Sequence, residues 1–165
     1  MIVVADASPL ISFAIIDKLD LLSEIFDEVI VPKAVYKEIS VAGKPFSGAL
    51  ERFANDKVVE VKNKIAVNIL LNKLDIGEAE AIALALEKNI KDIFLDDYKA
   101  RMTARINGLY PIGTIGALLQ AKKIGLIDNV KPLLDKLMTN KVRIGNDLYD
   151  KALELAKENK KKTLA

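Results

Sequence analysis

Short, wholly apolar segments alternate along this sequence with longer segments in which apolar residues recur every three or four positions. The clearest of the short segments are Ile2–Ala5 and Ile93–Leu95. An apolar run without polar alternation is typical of a strand buried on both faces, as in a parallel sheet, and the amphipathic segments between such runs are typical of crossover helices. The sequence therefore predicts an α/β fold with a mostly parallel sheet of four or five short strands.

The length of the chain, 165 residues, favours one domain with a sizeable core. We expect residues 1–165 to form a single domain, in which residues from about 127 to 165 are a C-terminal helical extension packed on the rest. Two helices are predicted there, near Val130–Met138 and Asn146–Asn159, followed by a frayed tail over Lys160–Ala165. Periodicity alone leaves open whether the apolar faces of these helices pack on the domain, on a second copy or on a partner.

Composition removes several classes of chemistry, because the chain contains no His and no Cys. Ser-His-Asp triads, His-ligated zinc, thiolate metal sites and disulfides are excluded, and any catalysis rests on carboxylates, Lys, Tyr, hydroxyl groups or a bound ion. A formal net charge of +2 creates no strong overall field for nucleic acid. No apolar stretch approaches the length of a membrane span and no leader is recognisable, so we expect a cytoplasmic protein without a membrane partner.

Acidic residues follow two of the predicted strands: Asp6 after Ile2–Ala5, and Asp96 and Asp97 after Ile93–Leu95. The carboxyl ends of parallel strands meet at one sheet edge, so neighbouring strands would bring these acids to about 4.8 Å. Ionised carboxylates that close repel and need a proton, a basic partner or a cation. Mg²⁺ or Mn²⁺, which prefer oxygen ligands, suit a chain without His or Cys, while helix capping by Asp6 is the structural alternative.

Two glutamates stand on helices that could reach the same edge. Glu38 flanks the apolar stripe of the helix predicted over Lys33–Ser40. Glu78 stands in the first turn of the helix predicted over Gly77–Lys88, which Asp75 would cap. A carboxylate in a first turn also complements the helix dipole, so a purely structural role for Glu78 stays open.

The order and surroundings of these acids resemble PIN domains over about Met1–Leu126, most of the chain. The matching segments are Val4–Leu10 around Asp6, Val35–Ile39 around Glu38, Gly77–Ala85 around Glu78 and Phe94–Arg101 around Asp97. The segments Gly113–Gly116 and Leu118–Lys122, with the helical tail, further resemble a prokaryotic subgroup of PIN-like proteins, that of the VapC-like toxin ribonucleases.

The resemblance implies a three-layer α/β/α sandwich and an endoribonuclease that cleaves single-stranded RNA with one or two Mg²⁺ or Mn²⁺ ions. Its implied catalytic residues are Asp6, Glu38, Glu78 and Asp97, with Asp6 and Asp97 as direct metal ligands. Glu38 and Glu78 would hold a second ion or orient its water shell. Asp96 is a further candidate ligand, although the register of the strand favours Asp97 over it. Many members are toxins held inactive by a small antitoxin protein, and many are homodimers, so both partners are expected.

Two positions depart from the family pattern. Glu78 stands where the family usually has Asp, and Leu95 stands where a hydroxyl residue usually comes two positions before the fourth acid. Thr114, at the start of the helix predicted over Ile115–Lys123, is the candidate to supply that hydroxyl.

Basic residues on the helix predicted over Tyr98–Ile106 are candidates for contacts to the RNA phosphates. They are Lys99, Arg101 and Arg105, which together with Thr114 form the predicted nucleic-acid-binding set. A solvated helix face would explain the same charges.

Two other functions fit the acids. A receiver-like or phosphatase-like protein would phosphorylate an Asp, but it needs a Lys and a hydroxyl group at later strand ends, which Leu95–Asp97 and Ile112–Thr114 supply poorly. A catalytically weak or inactive PIN-like module, binding nucleic acid or regulating a partner, would keep the acids only as helix caps.

Overall fold

The computed structural model describes residues 1–159, and the tail predicted over Lys160–Ala165 lies outside them. Within the described residues, one or two helices separate successive strands, and three helices follow the last strand. The strands are β1 (Ile2–Ala5), β2 (Glu28–Pro32), β3 (Val58–Val59), β4 (Asp92–Phe94) and β5 (Tyr110–Ile112). The helices are α1 (Ala7–Ile15), α2 (Leu19–Ile25), α3 (Lys33–Ile39), α4 (Ser47–Ala54), α5 (Lys64–Leu70), α6 (Ile76–Glu87), α7 (Tyr98–Ile106), α8 (Thr114–Lys123), α9 (Lys131–Thr139) and α10 (Asn146–Leu155).

The five strands form one parallel sheet in the order β3-β2-β1-β4-β5, which confirms the predicted parallel sheet. The central strand β1 pairs with β2 on one side and with β4 on the other, where Ala5 lies opposite Phe94. From β1 the chain builds outward to β2 and β3, and it then returns to place β4 and β5 on the opposite side. Ligands of open α/β sheets bind outside the carboxyl ends of the strands at such a reversal, here between Asp6 and Asp96.

Helices cover both faces of the sheet, which confirms the predicted α/β/α sandwich. On one face α5, α6 and α7 form a core with Val4, Ile30 and Ile93 of the strands. Alternate residues of a strand point to opposite faces. Phe94 therefore points to the other face, where its ring centroid lies 5.8 Å from that of Phe13 and 5.5 Å from that of Phe26.

The chain divides into two compact units, residues 1–114 and 115–165. The first contains the whole sheet and the helices from α1 to α7, and it ends with the first residue of α8. In the described part of the second, Glu158 accepts hydrogen bonds from the Nζ of Lys122 at 2.8 Å and from the backbone N–H of Val130 at 2.6 Å. These bonds tie the end of α10 to the other helices of that unit. The predicted packing of the extension on the sheet domain stays a prediction.

The helices near residues 130 and 146 lie where the sequence predicts them, although α10 ends at Leu155 rather than at Asn159. None of the helices between residues 1 and 159 has the length and apolarity that crossing a bilayer requires.

Candidate active site

Asp6 lies at the carboxyl end of β1, where its side chain is buried with 5% of its surface exposed. Its backbone N–H donates to the carbonyl oxygen of Phe94 at 2.9 Å, which fixes this residue against β4. Helix α1 begins at Ala7, so Asp6 occupies the N-cap position, yet its carboxylate makes no side-chain capping bond. The helix-capping alternative therefore does not account for this buried acid.

The pKa of Asp6 is raised to about 7, chiefly by burial and in smaller part by the negative charges of Asp75, Glu78 and Glu38, while a hydrogen bond from the backbone N–H of Ala7 lowers it. A carboxyl group with such a pKa is only partly ionised near neutral pH. It is poised to exchange its proton for a cation.

Glu78 reaches the same place from α6. The side chain of Asp75 accepts a hydrogen bond from the backbone N–H of Glu78 at 2.8 Å, and Glu78 Oε2 accepts one from the backbone N–H of Asp75 at 3.2 Å. This capping box confirms Asp75 as the predicted N-cap. The pKa of Glu78 is raised to about 7, chiefly by burial and in smaller part by the charges of Asp75, Asp97 and Glu38. The hydrogen bond from the backbone N–H of Asp75 lowers it.

Glu38 stands in the last turn of α3, and its carboxylate leans over the sheet edge. A Cβ atom added to Gly77 would lie 3.2 Å from Asp6 Oδ1, 3.3 Å from Glu38 Oε2 and 3.5 Å from Asp75 Oδ1. Because Gly77 has no side chain, the carboxylates of Asp6, Glu38 and Asp75 can all lie close to its backbone. Burial and the charge of Asp75 raise the pKa of Glu38, which the charge of Lys44 lowers.

Asp97 is the exposed N-cap of α7, and its Oδ2 accepts a hydrogen bond from the backbone N–H of Ala100 at 2.9 Å. Its negative charge is close enough to Glu78 to contribute to the raised pKa of that group. We use the name acidic cluster for Asp6, Glu38, Asp75, Glu78 and Asp97. Four of these five are the predicted catalytic acids, which the fold brings to one edge of the sheet.

Asp96 is directed instead toward the end of β5. Its Oδ1 accepts a hydrogen bond from the backbone N–H of Thr114 at 2.7 Å, and its Oδ2 accepts one from the hydroxyl group of Thr114 at 2.6 Å. The buried Thr114 hydroxyl thus lies at this sheet edge, bonded to Asp96. The pair fastens the segment after β4 to the start of α8.

The predicted phosphate-binding residues of α7 differ in their surroundings. Arg101 Nη1 donates to the carbonyl oxygen of Leu95 at 2.9 Å, and burial followed by the charge of Arg105 lowers the pKa of Arg101. Lys99 and Arg105 are exposed on α7. Lys44, in the loop between α3 and α4, is the basic residue whose charge acts on Glu38.

Three contributors to this site were missed by the reasoning from sequence. Asp75 was predicted as a cap only, although its spacing of three residues from Glu78 places both at one helix end. Gly77 in a first helical turn signals a close approach of other groups, whereas Lys44 carries no signal because loop contacts are not periodic. A further residue, Glu80, lies outside the acidic cluster: it is buried, and its Oε2 accepts a hydrogen bond from the backbone N–H of Ala34 at 2.7 Å.

The chemistry of the donors fits a hard divalent cation, since every candidate ligand is a carboxylate. Three of the carboxyl groups hold their protons unusually tightly because of burial and mutual repulsion, which a cation would relieve. In the arrangement seen here, no three acidic side chains within residues 1–159 are placed so that they could hold one ion. Glu38 is exposed and Glu78 half-buried, so these longer side chains have room to turn while Asp6 stays fixed.

Comparison with known proteins agrees with this geometry. The model of the family DUF3368, described as a PIN domain, matches residues 2–158. No curated protein and no solved structure matches the chain significantly. The match takes in all five strands and the whole acidic cluster, and PIN domains are nuclease-type folds. The chain therefore belongs to the PIN-domain family.

Proposed function

We propose that this protein is a metal-dependent endoribonuclease that cleaves single-stranded RNA, with Asp6, Glu38, Glu78 and Asp97 as its catalytic acids. The observation that carries the proposal is Asp6: a buried carboxylate with a pKa of about 7, beside three other acids, at the point where the strand order reverses. Burying such a group costs stability unless something compensates the charge. Binding of a cation would compensate that charge, so the arrangement suits a metal site.

The alternative of an inactive module requires that the acids serve only as helix caps, so the capping bond of each acid distinguishes the two functions. Asp97 caps α7, and Asp75 with Glu78 forms a capping box, so these residues have structural roles in any case. Asp6 makes no capping bond, and Glu38 lies at the end of α3 where a negative charge opposes the helix dipole. These two acids, whose positions capping does not explain, both lie over Gly77 with Asp75 beside them.

Asp6 and Asp97 are the proposed ligands of an Mg²⁺ or Mn²⁺ ion, with Glu78 and Glu38 turning to complete or hydrate the site. Such an ion supplies a bound water of lowered pKa and offsets negative charge on the phosphate. Asp96 was the further candidate ligand. Because both of its oxygens accept bonds from Thr114, we assign it the role of holding the backbone beside Asp97 in place.

The RNA strand needs positive groups beside the acids, because its phosphates and the acidic cluster repel each other. Lys99 and Arg105 are exposed on α7, two and eight residues beyond Asp97, and the charge of Lys44 acts on Glu38. We assign phosphate contacts to these three and to Arg101. The bond of Arg101 to the Leu95 carbonyl also holds the end of β4.

The resemblance to the toxin subgroup supports a finer role. We propose that the protein acts in the cytoplasm as the toxin of a toxin–antitoxin pair, as a homodimer that a small antitoxin protein inhibits. Induced expression of the wild-type chain would then arrest growth of a bacterial host, and expression of Asp6→Asn to the same level would not. Growth arrest by both variants would contradict a toxin role that depends on cleavage.

The proposal is tested with purified protein and labelled single-stranded RNA, with Mg²⁺, with Mn²⁺ and with a chelator. We expect cleavage only with a divalent ion, and a loss of at least about a hundredfold in Asp6→Asn, since removing a ligand or activating group costs that much or more. Asp92→Asn is the matched control: Asp92 begins β4, at the opposite edge of the sheet from Asp97. It should cleave like wild type.

Double-stranded RNA and single-stranded DNA of the same sequence test the substrate class. Cleavage by Asp6→Asn at the wild-type rate would contradict the proposal and would point to a contaminating nuclease. Absence of cleavage by the wild type with either ion, together with undiminished RNA binding by Asp6→Asn, would favour the inactive module.

A further inference from the structure

Tyr98 is a large aromatic residue that the fold leaves uncovered directly beside the acidic cluster. It is the first residue of α7 and follows Asp97, the N-cap, and 76% of its surface is exposed. Within residues 1–159 its hydroxyl group takes part in no hydrogen bond. By contrast, Phe13, Phe26 and Phe94 lie in the core. Nothing in the packing of the described chain requires an aromatic side chain at position 98.

The exposed face of α7 continues from Tyr98 in an alternation of apolar and basic side chains. Met102 and Ile106 follow at intervals of four residues, which places them on the same side of the helix, with 38% and 81% of their surfaces exposed. Arg105 Nη1 lies 3.8 Å from the sulfur of Met102, and Lys99 is exposed next to Tyr98. This surface combines flat or soft apolar groups with cations.

That combination is the one by which proteins bind single-stranded nucleic acid: bases stack on aromatic side chains while basic groups follow the backbone. The position of Tyr98 brings such a strand to the candidate site, because Tyr98 directly follows Asp97, the N-cap of α7 and a member of the acidic cluster. A base stacked on Tyr98 would place the adjoining phosphate near those carboxylates.

We propose that Tyr98 stacks on one unpaired base next to the scissile phosphate and so positions single-stranded RNA over the acidic cluster. This inference rests on the proposed ribonuclease function and extends it. A base inside a duplex is covered by its neighbours and cannot stack on a side chain, so Tyr98 selects single-stranded over double-stranded RNA. Every base has a flat face, so the contact favours no particular sequence.

The first experiment measures kcat/KM and KM for single-stranded RNA in Tyr98→Ala, Tyr98→Phe and Tyr110→Ala. Tyr110 is the matched control: it is 65% exposed, but it begins β5, at the edge of the sheet away from the acids. We expect Tyr98→Ala to raise KM by about tenfold to a hundredfold, the usual effect of losing one base–aromatic stack. Tyr98→Phe, which keeps the ring, should recover most of the affinity, and Tyr110→Ala should behave like wild type.

The second experiment separates stacking from a general loss of structure. A series of RNA oligonucleotides carries one abasic nucleotide at successive positions around the cleaved bond. Wild type should lose affinity for the oligonucleotide that lacks the stacked base, and Tyr98→Ala should be insensitive to that same removal. Equal sensitivity of both proteins at every position would overturn the inference.

The outcomes distinguish this inference from the proposed function. If wild type cleaves RNA and Tyr98→Ala cleaves it equally well, the stacking role is wrong and the ribonuclease function stands. If Tyr98→Ala instead changes the oligomeric state in size-exclusion chromatography and leaves KM unchanged, the exposed face is a protein interface and the inference is also wrong. If wild type neither cleaves nor binds RNA with either ion, the proposed function itself fails.

Discussion

Glu80 on α6 and Ala34 on α3 are joined by a partly buried hydrogen bond from the backbone N–H of Ala34 to Glu80 Oε2, 2.7 Å long. Ala34 lies in the first turn of α3, where backbone N–H groups have no partner within the helix. The bond therefore satisfies a helix end and also fixes α3 against α6. Because Glu38 lies on α3 and Glu78 on α6, Glu80 sets the spacing between two acids of the cluster without being one of them.

Replacing Glu80 by Ala should destabilise the protein by about 1 to 3 kcal/mol, because the Ala34 N–H loses its buried partner. The spacing of Glu38 and Glu78 should then loosen, so the concentration of Mn²⁺ at half-maximal cleavage should rise at least about tenfold. Glu80→Gln keeps an oxygen acceptor and should restore most of both properties. Urea unfolding and Mn²⁺ titrations of cleavage measure the two effects.

The control for that prediction is Glu87→Ala. Glu87 stands at the other end of α6 and also accepts from a backbone N–H, that of Lys62 at 3.0 Å, but it lies away from the cluster and is exposed. It should leave the Mn²⁺ dependence unchanged. A loss of stability in Glu80→Ala with an unchanged Mn²⁺ dependence would reduce Glu80 to a purely structural role.

Asp6→Asn should stabilise the metal-free protein while it abolishes cleavage. The substitution keeps the shape of the side chain and removes a buried charge that three neighbouring acids oppose. We expect a gain of about 1 to 4 kcal/mol near pH 8, of the order seen when a poorly compensated buried charge is removed. Chemical unfolding with a chelator present checks this, and Asp92→Asn should show no such gain. A destabilised Asp6→Asn would mean that the Asp6 carboxylate makes contacts that hold the fold together.

The stability of the metal-free protein should fall as the pH rises from about 5 to about 8. Asp6 ionises near pH 3.8 when unfolded and near pH 7 when folded, so the folded state holds a proton that the unfolded state has already released. Glu78 shifts in the same direction. Asp56, Asp135 and Glu158 have lowered pKa values, so their ionised forms stabilise the folded state. That contribution changes only at more acidic pH, and it does not alter the slope between pH 5 and pH 8.

Mn²⁺ should reverse that slope, since the ion binds the ionised carboxylates and stabilises the folded state by mass action. Thermal unfolding in the presence and absence of Mn²⁺, at several pH values, measures both slopes. A stability that is flat between pH 5 and 8 without metal would contradict the burial of an ionisable Asp6.

Asp6 and Asp97 show most clearly how much of the candidate site can be predicted from the sequence. Each follows an apolar run whose composition indicates a buried parallel strand, and parallel strands end at one edge, so their meeting follows from local pattern alone. Glu78 stands at the start of the helix that leads into the Asp97 strand, so topology predicts it at the same edge. Glu38 was placed by family resemblance, because periodicity gives the face of a helix but not the angle at which that helix crosses the sheet. The alternation of short apolar runs with amphipathic segments was sufficient to predict the fold class.

The rest depended on contacts between elements, which leave no periodic trace in the sequence. In the sequence Glu80 is an ordinary helical carboxylate, and its role depends on the packing of α3 beside α6, which supplies the backbone N–H of Ala34. Lys44 belongs to a loop whose path to Glu38 is set by the loop's own turns, including a left-handed Gly43. Asp96 and Asp97 are neighbours of the same type, and only the position of Thr114 separates their roles.

Gly77→Ala tests whether the open space at the centre of the cluster is functional. A methyl group there would lie 3.2 Å from Asp6 Oδ1 and 3.3 Å from Glu38 Oε2, closer than carbon and oxygen normally approach, so the carboxylates must move apart by a few tenths of an ångström. Helical Ala is favoured over Gly, so stability should change by less than about 1 kcal/mol. Cleavage should nevertheless fall by about tenfold or more, because small misplacements of reacting groups cost that much. Gly48→Ala is the control: Gly48 is also the second residue of its helix, α4, but its added methyl would meet only the flexible end of Arg52 at 3.4 Å. Full activity in Gly77→Ala would mean that the acids of the cluster need not approach each other across Gly77.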